Sequence, residues 1–216
     1  GAILDFLKII NLLENLYKKR DKISNILQRN VEFKNSLYVD SENEFLKYTN
    51  KFREKKYRKL LPLRSQKLIL SDHLRIIKMN FSLGQKIPCH VDLHPQNMVF
   101  DLGEDIYILD NDAFLNFPIK VALSFAIFKN FRHMVAAHNG LSDIFVTYFA
   151  SSVGKVFQNQ YEVLEILKIA QIEYMRRANN VFFEIETLGS SKWIENLLVQ
   201  LAGVCETFQV YQELKD

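Results

Sequence analysis

The sequence predicts a mainly α-helical chain carrying one small β-hairpin, with helices on both sides of it. Three observations support this class. Apolar residues recur at three- and four-residue steps over most of the length. Only seven Gly and four Pro punctuate 216 residues, too few for a sandwich of many short strands. Between Cys89 and Phe114 the period changes, and two short runs rich in β-formers enclose a loop that contains Gly.

Taken in order, Ala2 to Leu27 reads as helix through Ile3, Leu4, Leu7, Ile10, Leu13, Leu16 and Tyr17. A second helix is expected over Ser41 to Leu60, with Ser41 as N-cap and Glu44 three residues on, the capping-box pattern. Pro62 interrupts it, and Arg64 to Phe81 reads as another amphipathic helix. Gly84 and Pro88 mark a loop. The hairpin follows, Asn97 to Phe100 and Ile106 to Leu109, joined by Asp101-Leu102-Gly103-Glu104-Asp105. Beyond Pro118 the chain reads as helix over Ile119–His138, Ser142–Ser152, Tyr161–Thr187 and Ser191–Leu214. Gly140, Gly154 and Gly189 sit at the breaks, as C-terminal caps do. The chain is thus one domain in three stretches: 1–88 helical, 89–114 loop and hairpin, 115–216 helical.

Hydrophobic residues at 48% and charged residues at 25% describe a globular protein with a core and exclude a disordered one. Two cysteines, Cys89 and Cys205, do not make a disulfide framework. No apolar run reaches the length of a membrane span and no signal pattern opens the chain, so a cytoplasmic location is expected. Gly1 stands where Met would, so the natural protein is expected to extend upstream. Nine basic residues and one acidic one fall between Lys47 and Lys67, leaving 19 basic and 24 acidic elsewhere. Such a run is most simply a solvated helix face, and no recognition pattern accompanies it, so nucleic acid is not an expected partner.

The chemistry lies in His90-Val91-Asp92-Leu93-His94-Pro95-Gln96-Asn97 and the following Ile108-Leu109-Asp110-Asn111-Asp112. Phosphoryl transfer needs a group to take the acceptor's proton, plus cations that neutralise charge on the transferred phosphoryl. Asp92 on a loop suits the first role. Asn97 and Asp110 suit the second, because Mg²⁺ prefers hard oxygen donors and keeps several waters. A hairpin's open ends meet, so Asn97 before the first strand and Asp110 after the second would reach one cation. Asp112 is a further metal-ligand candidate. His90 joins Asp92 in the catalytic group, chiefly as a brace for the loop. The H-x-D-x-x-x-x-N match arises by chance about once in 10⁴ starts at roughly 5% usage per position. The hairpin and the Asp-x-Asp after it sharpen the signal.

These residues resemble the catalytic loop and metal-binding strand of the aminoglycoside phosphotransferase and choline kinase superfamily, where the loop commonly runs Asp-Leu-His-Pro-x-Asn. Val91 and His94-Pro95 fit those small-molecule kinases better than protein kinases. The resemblance implies a kinase-like carboxy-terminal lobe, Asp92 as base, Asn97 and Asp110 as Mg²⁺ and nucleotide contacts, and ATP as co-substrate. It covers roughly Leu60 to Phe125 by motif. The family's amino-terminal nucleotide lobe has no counterpart before Ala2, and its usual second Asp after Asp112 is missing. The expectation is therefore the substrate-binding and catalytic lobe of a kinase for a small-molecule alcohol, such as an aminoglycoside, choline or a sugar. It would be inactive alone and dependent on a nucleotide lobe in cis or trans. The alternative is a non-catalytic kinase-like module that binds a ligand or a protein. Phe131, Tyr174 and Trp193 are candidates to line a pocket for an organic cation. Glu173, Glu184 and Glu186 are candidates to meet one, although a solvated helix face is their simpler fate.

Overall fold

A computed structural model describes residues 36–100, 106–110, 112, 114–137 and 160–216, together with 11, 15, 18 and 19. The expected helix over Ala2–Leu27 lies outside these except for Asn11, Asn15 and Lys18, which are helical, and Lys19, which is in a turn. The one over Ser142–Ser152 lies wholly outside them. The described chain is mainly helical with two small antiparallel sheets.

Helix α1, Ser36–Arg53, buries Tyr38, Phe45, Tyr48 and Phe52 at helical spacing. Three of these rings converge on Phe182, with centroids at 6.5, 5.6 and 4.8 Å for Phe45, Tyr48 and Phe52. Ser41 therefore does not cap a helix. It lies inside α1, buried, and its carbonyl accepts the side-chain amide of Asn179 at 2.9 Å. The Ser–x–x–Glu spacing of a capping box also fits a helix interior when one face packs. Lys51 and Arg53 occupy the last turn, where cations suit the helix dipole. A break at Glu54 separates the short α2, Lys55–Arg58, and Pro62 precedes α3, Leu63–Leu70. Most of the basic run lies exposed on these three helices.

The helix expected to reach Phe81 stops at Leu70. Ser71 turns extended and its hydroxyl donates to the Leu68 carbonyl at 2.8 Å, which competes with continuing the helix. Beyond it, side chains of the long helix α5, Gln160–Leu188, satisfy the main chain. Gln171 accepts the Ile77 N–H at 2.9 Å and donates to the Arg75 carbonyl at 3.0 Å, and Lys168 donates to the Ile77 carbonyl. A segment whose buried backbone is paired in this way loses nothing by leaving the helix. Lys168 is itself buried and reaches Glu42 of α1 at 2.6 Å.

Two sheets follow. Strands β2, Met98–Phe100, and β3, Ile106–Ile108, form the expected hairpin with Met98 opposite Ile108. The second sheet was not foreseen. Strand β1, Lys86–His90, pairs antiparallel with β4, Phe114–Pro118, in the register His90 opposite Phe114 and Lys86 opposite Pro118. Each sheet has two strands, so every strand is an edge, and Pro88 can sit in β1 without breaking an inner ladder. Helix α4, Ile119–Ala137, continues directly from β4.

Helix α5 is the spine: α1, α4 and α6, Ile194–Lys215, all pack on it. Its buried face includes Ile166, Ile169, Ala170, Tyr174, Ala178 and Phe182. It ends at Gly189, which holds φ of 70° and donates its N–H to the Ile185 carbonyl at 2.9 Å, the left-handed cap expected of a glycine there. Among the described residues, no helix is long and apolar enough to cross a membrane. Both cysteines are free, and burial pushes each thiol up to about 12.

Candidate functional site

The loop after β1 closes onto the open end of the β2–β3 hairpin, and His90 is the clasp. Its ring is 1% exposed. Nδ1 accepts the Asp92 N–H at 3.2 Å, which leaves the proton on Nε2. That N–H is shared by the carbonyls of Leu109 and Asp110, both at 3.0 Å. Asp110 has φ of 61°, a left-handed conformation that Asp tolerates better than most residues. This turn lets two successive carbonyls face one donor. His90 is thus a positioning residue: both ring nitrogens are committed to main chain.

Asn97 adds a second tie. It ends a short 3₁₀ turn, Pro95–Asn97, whose last N–H bonds to the His94 carbonyl at 2.9 Å. Its Nδ2 donates to the Asp92 carbonyl at 3.0 Å, and its own carbonyl accepts the Leu109 N–H at 2.9 Å. The hairpin pairing therefore extends one residue beyond the Met98–Ile108 pair, and Asp110 follows Leu109 immediately. With Nδ2 committed to the loop, Oδ1 is the atom that a cation would use. His90, Asp92, Asn97 and Asp110 share one neighbourhood. Asp112 is exposed, two residues further on.

Asn97 and Asp110 offer only hard oxygens, and two protein donors fit Mg²⁺, which completes its shell with water and phosphate oxygens. Among the described residues no group of three His, Cys, Asp or Glu side chains could hold a metal.

The half-buried Asp92 carboxylate faces helix α4, where Lys129 forms an ion pair with Oδ1. His94 Nε2 stands 3.7 Å from the same oxygen, too far for a hydrogen bond. Beyond Lys129, α5 contributes Glu173, which is buried and takes Nε and Nη2 of Arg176 at 3.1 and 2.9 Å. These groups, with Val91, Phe125, Phe128 and Arg177, line a cavity of about 300 Å³ at the Asp92 carboxylate. Burial, and then the Arg177 and Arg132 guanidiniums, push the Lys129 ammonium below its ordinary range, while Glu173 pulls it back.

Lys129, Arg176 and Arg177 were not singled out in the sequence, and Glu173 was read first as solvated. Their signal was present as spacing. Phe125, Phe128, Lys129 and Arg132 lie on one face of α4, and Glu173, Arg176, Arg177 and Asn180 on one face of α5. Only the packing of the two helices tells a site from a surface. Two aromatic expectations need correction. Phe131 and Tyr174 are fully buried core residues, the latter edge-on to Phe128 at 4.9 Å, and neither lines the cavity at Asp92. Trp193 does line one, a second cavity of about 420 Å³ that adjoins the first through Phe128 and Arg177. Glu186 is exposed and paired with Lys51, and Glu184 accepts the Ser191 hydroxyl.

Burial, then Arg132 and His90, hold His94 below the ordinary histidine range. A depressed histidine is neutral in the folded state while the unfolded chain still binds the proton. Its contribution is full above about pH 6.5 and is lost as pH falls through the lower folded value. We expect His94→Gln to lose less thermal stability than the wild type between pH 7.5 and 5, by about 1–2 °C of Tm. Parallel Tm curves for the two proteins would remove His94 as a titrating group.

No protein-family model matches the chain, and no curated protein or solved structure matches it either.

Proposed function

We propose that this chain is the acceptor-binding and catalytic part of a small-molecule kinase, a lobe of the kinase-like type. The observation that carries the reading is the clasp by which His90 and Asn97 bring the Asp92 loop to Asp110 at the mouth of the hairpin. Asp92 accepts the proton of the acceptor hydroxyl as its oxygen bonds to the γ-phosphorus of ATP and the bond to ADP breaks. Asn97 and Asp110, with Asp112 beside them, would hold Mg²⁺, which neutralises charge on the phosphates. Lys129 holds the Asp92 carboxylate toward the cavity where the hydroxyl would sit, and His90 fixes the loop from beneath.

One observation favours a second reading. The Lys129 ammonium lies directly against Asp92, and a carboxylate held by a lysine also suits a non-catalytic module whose ion pair is structural. Two measurements separate the readings. For a kinase, ATP with Mn²⁺ as the paramagnetic stand-in should broaden the NMR signals of Asn97 and Asp110, and ADP should form when an alcohol is added. Absence of both, in this chain and in any longer form that carries a nucleotide lobe, would leave the binding module.

A further inference from the structure

We propose that α2, α3 and the turn between them form a docking face for an anionic lipid surface. Residues 55–70 hold six basic side chains, Lys55, Lys56, Arg58, Lys59, Arg64 and Lys67, and no acidic one; Glu54 and Asp72 flank the stretch. Five of the six are exposed, and among the described residues none of them has a carboxylate within ion-pair distance. The cations at the end of α1 differ. Lys51 pairs with Glu186, and Arg53 donates Nε to the Ile69 carbonyl at 3.0 Å. Arg64 also stands in the first turn of α3, where no acidic residue accompanies it and the helix dipole disfavours a cation.

Charge alone would describe a solvated face, but the leucines do not fit one. Leu60, Leu63 and Leu70 are 43%, 68% and 51% exposed, and every exposed residue within 55–70 is Lys, Arg or Leu. Leu63, Lys67 and Leu70 follow steps of four and three, so they share one stripe of α3, with Arg64 beside it. Ser65 and Ile69 lie on the opposite face and are fully buried, where α3 packs on α6 and α1. The stripe is therefore left without a partner by the fold. Leucines set among unpaired cations match the boundary of a bilayer, where the cations meet acidic headgroups and the leucines reach the acyl chains. Nucleic acid would meet the charges and leave the leucines idle, since strand binding adds aromatic stacking and duplex contacts add amide or hydroxyl groups.

Co-sedimentation of the full chain with phosphatidylcholine vesicles, with and without phosphatidylserine, tests this. Phosphatidylserine should tighten binding at least tenfold. Lys59→Glu with Lys67→Glu should undo that gain, and Leu63→Ser with Leu70→Ser should weaken binding severalfold at unchanged charge. All four positions are exposed, so the variants should fold, which circular dichroism checks. Equal binding to the two kinds of vesicle, or an affinity indifferent to either pair of substitutions, would overturn the assignment. So would a duplex oligonucleotide bound more tightly than the anionic vesicles, which gives the face to nucleic acid. Failure to bind vesicles at all would leave it to an acidic protein or to solvent. The face shares no residue with the Asp92 site, and no ATP or acceptor enters the measurement, so its outcome stands apart from the kinase reading.

Discussion

Asp92→Asn should lower phosphoryl transfer at least 100-fold while moving the thermal midpoint by no more than about 1–3 °C. Asparagine keeps the size of the side chain and removes the ability to take a proton at neutral pH. The loop should survive because its ties to Asp92 are main-chain ones: the N–H goes to His90 Nδ1 and the carbonyl receives Asn97 Nδ2. What the substitution breaks is the ion pair with Lys129, between side chains 31% and 25% exposed. A partly exposed pair is worth about 0–1 kcal/mol, so the fold should hardly notice. ADP formation measured beside a melting curve reads both halves. Turnover within about fivefold of wild type, in a variant that melts normally, would remove Asp92 from the chemistry. A large loss of Tm would show that the carboxylate supports the fold.

The second large effect lies away from the site. Gly203, buried in α6, faces the ring of Tyr174 so closely that a Cβ would lie 2.3 Å from Cδ1 and 2.4 Å from Cε1. Two principles give opposite signs for Gly203→Ala. Helix propensity favours alanine by about 1 kcal/mol. Overpacking costs about 1–3 kcal/mol and sometimes more. The second should win, because the obstacle is an aromatic ring with no room to swing. Tyr174 is fully buried and wedged edge-on against Phe128. A net loss of about 2 kcal/mol, or about 4–8 °C of Tm at this chain length, is expected. Phe128 walls both cavities, so ligand affinity should fall with stability. Shortening the obstacle, in Gly203→Ala with Tyr174→Leu, should recover part of the loss. An alanine variant as stable as wild type would mean that α5 and α6 move apart freely, contrary to this packing.

How much of this was legible in the sequence depended on how local the cause was. The hairpin was readable because its two runs are β-formers and Gly103 stands between them in the sequence, all within a dozen residues. The long helix expected over Tyr161–Thr187 is found over Gln160–Leu188, since apolar spacing and the Gly189 stop both lie in the chain itself. The β1–β4 sheet was not readable. Pro88 argued for a loop, and the strand that accepts Lys86–His90 lies beyond the entire hairpin. The end of α3 was equally hidden, because Gln171 and Lys168 replace helical bonds from nearly a hundred residues away. At the candidate site, the loop and hairpin residues could be named from their types and spacing. The cluster of Lys129, Glu173, Arg176 and Arg177 could not, since each alone looks like an ordinary charge on a helix.

The pairing of His90 with Phe114 has a consequence for how such a chain can change. The pairing clamps the two ends of the intervening stretch side by side, as a ring setting holds a stone. Exchanges at exposed positions such as Val99 or Tyr107 leave the two feet clamped side by side, whereas Leu93 and Met98 are buried in the core and tie the stretch to the helices. The helical body, for its part, supplies most of the walls of the cavity at Asp92, and Val91 and Asp92 supply the rest. On the proposed reading, reactivity would rest mainly on this stretch and selectivity mainly on the cavity walls, and the two would meet at Val91 and Asp92.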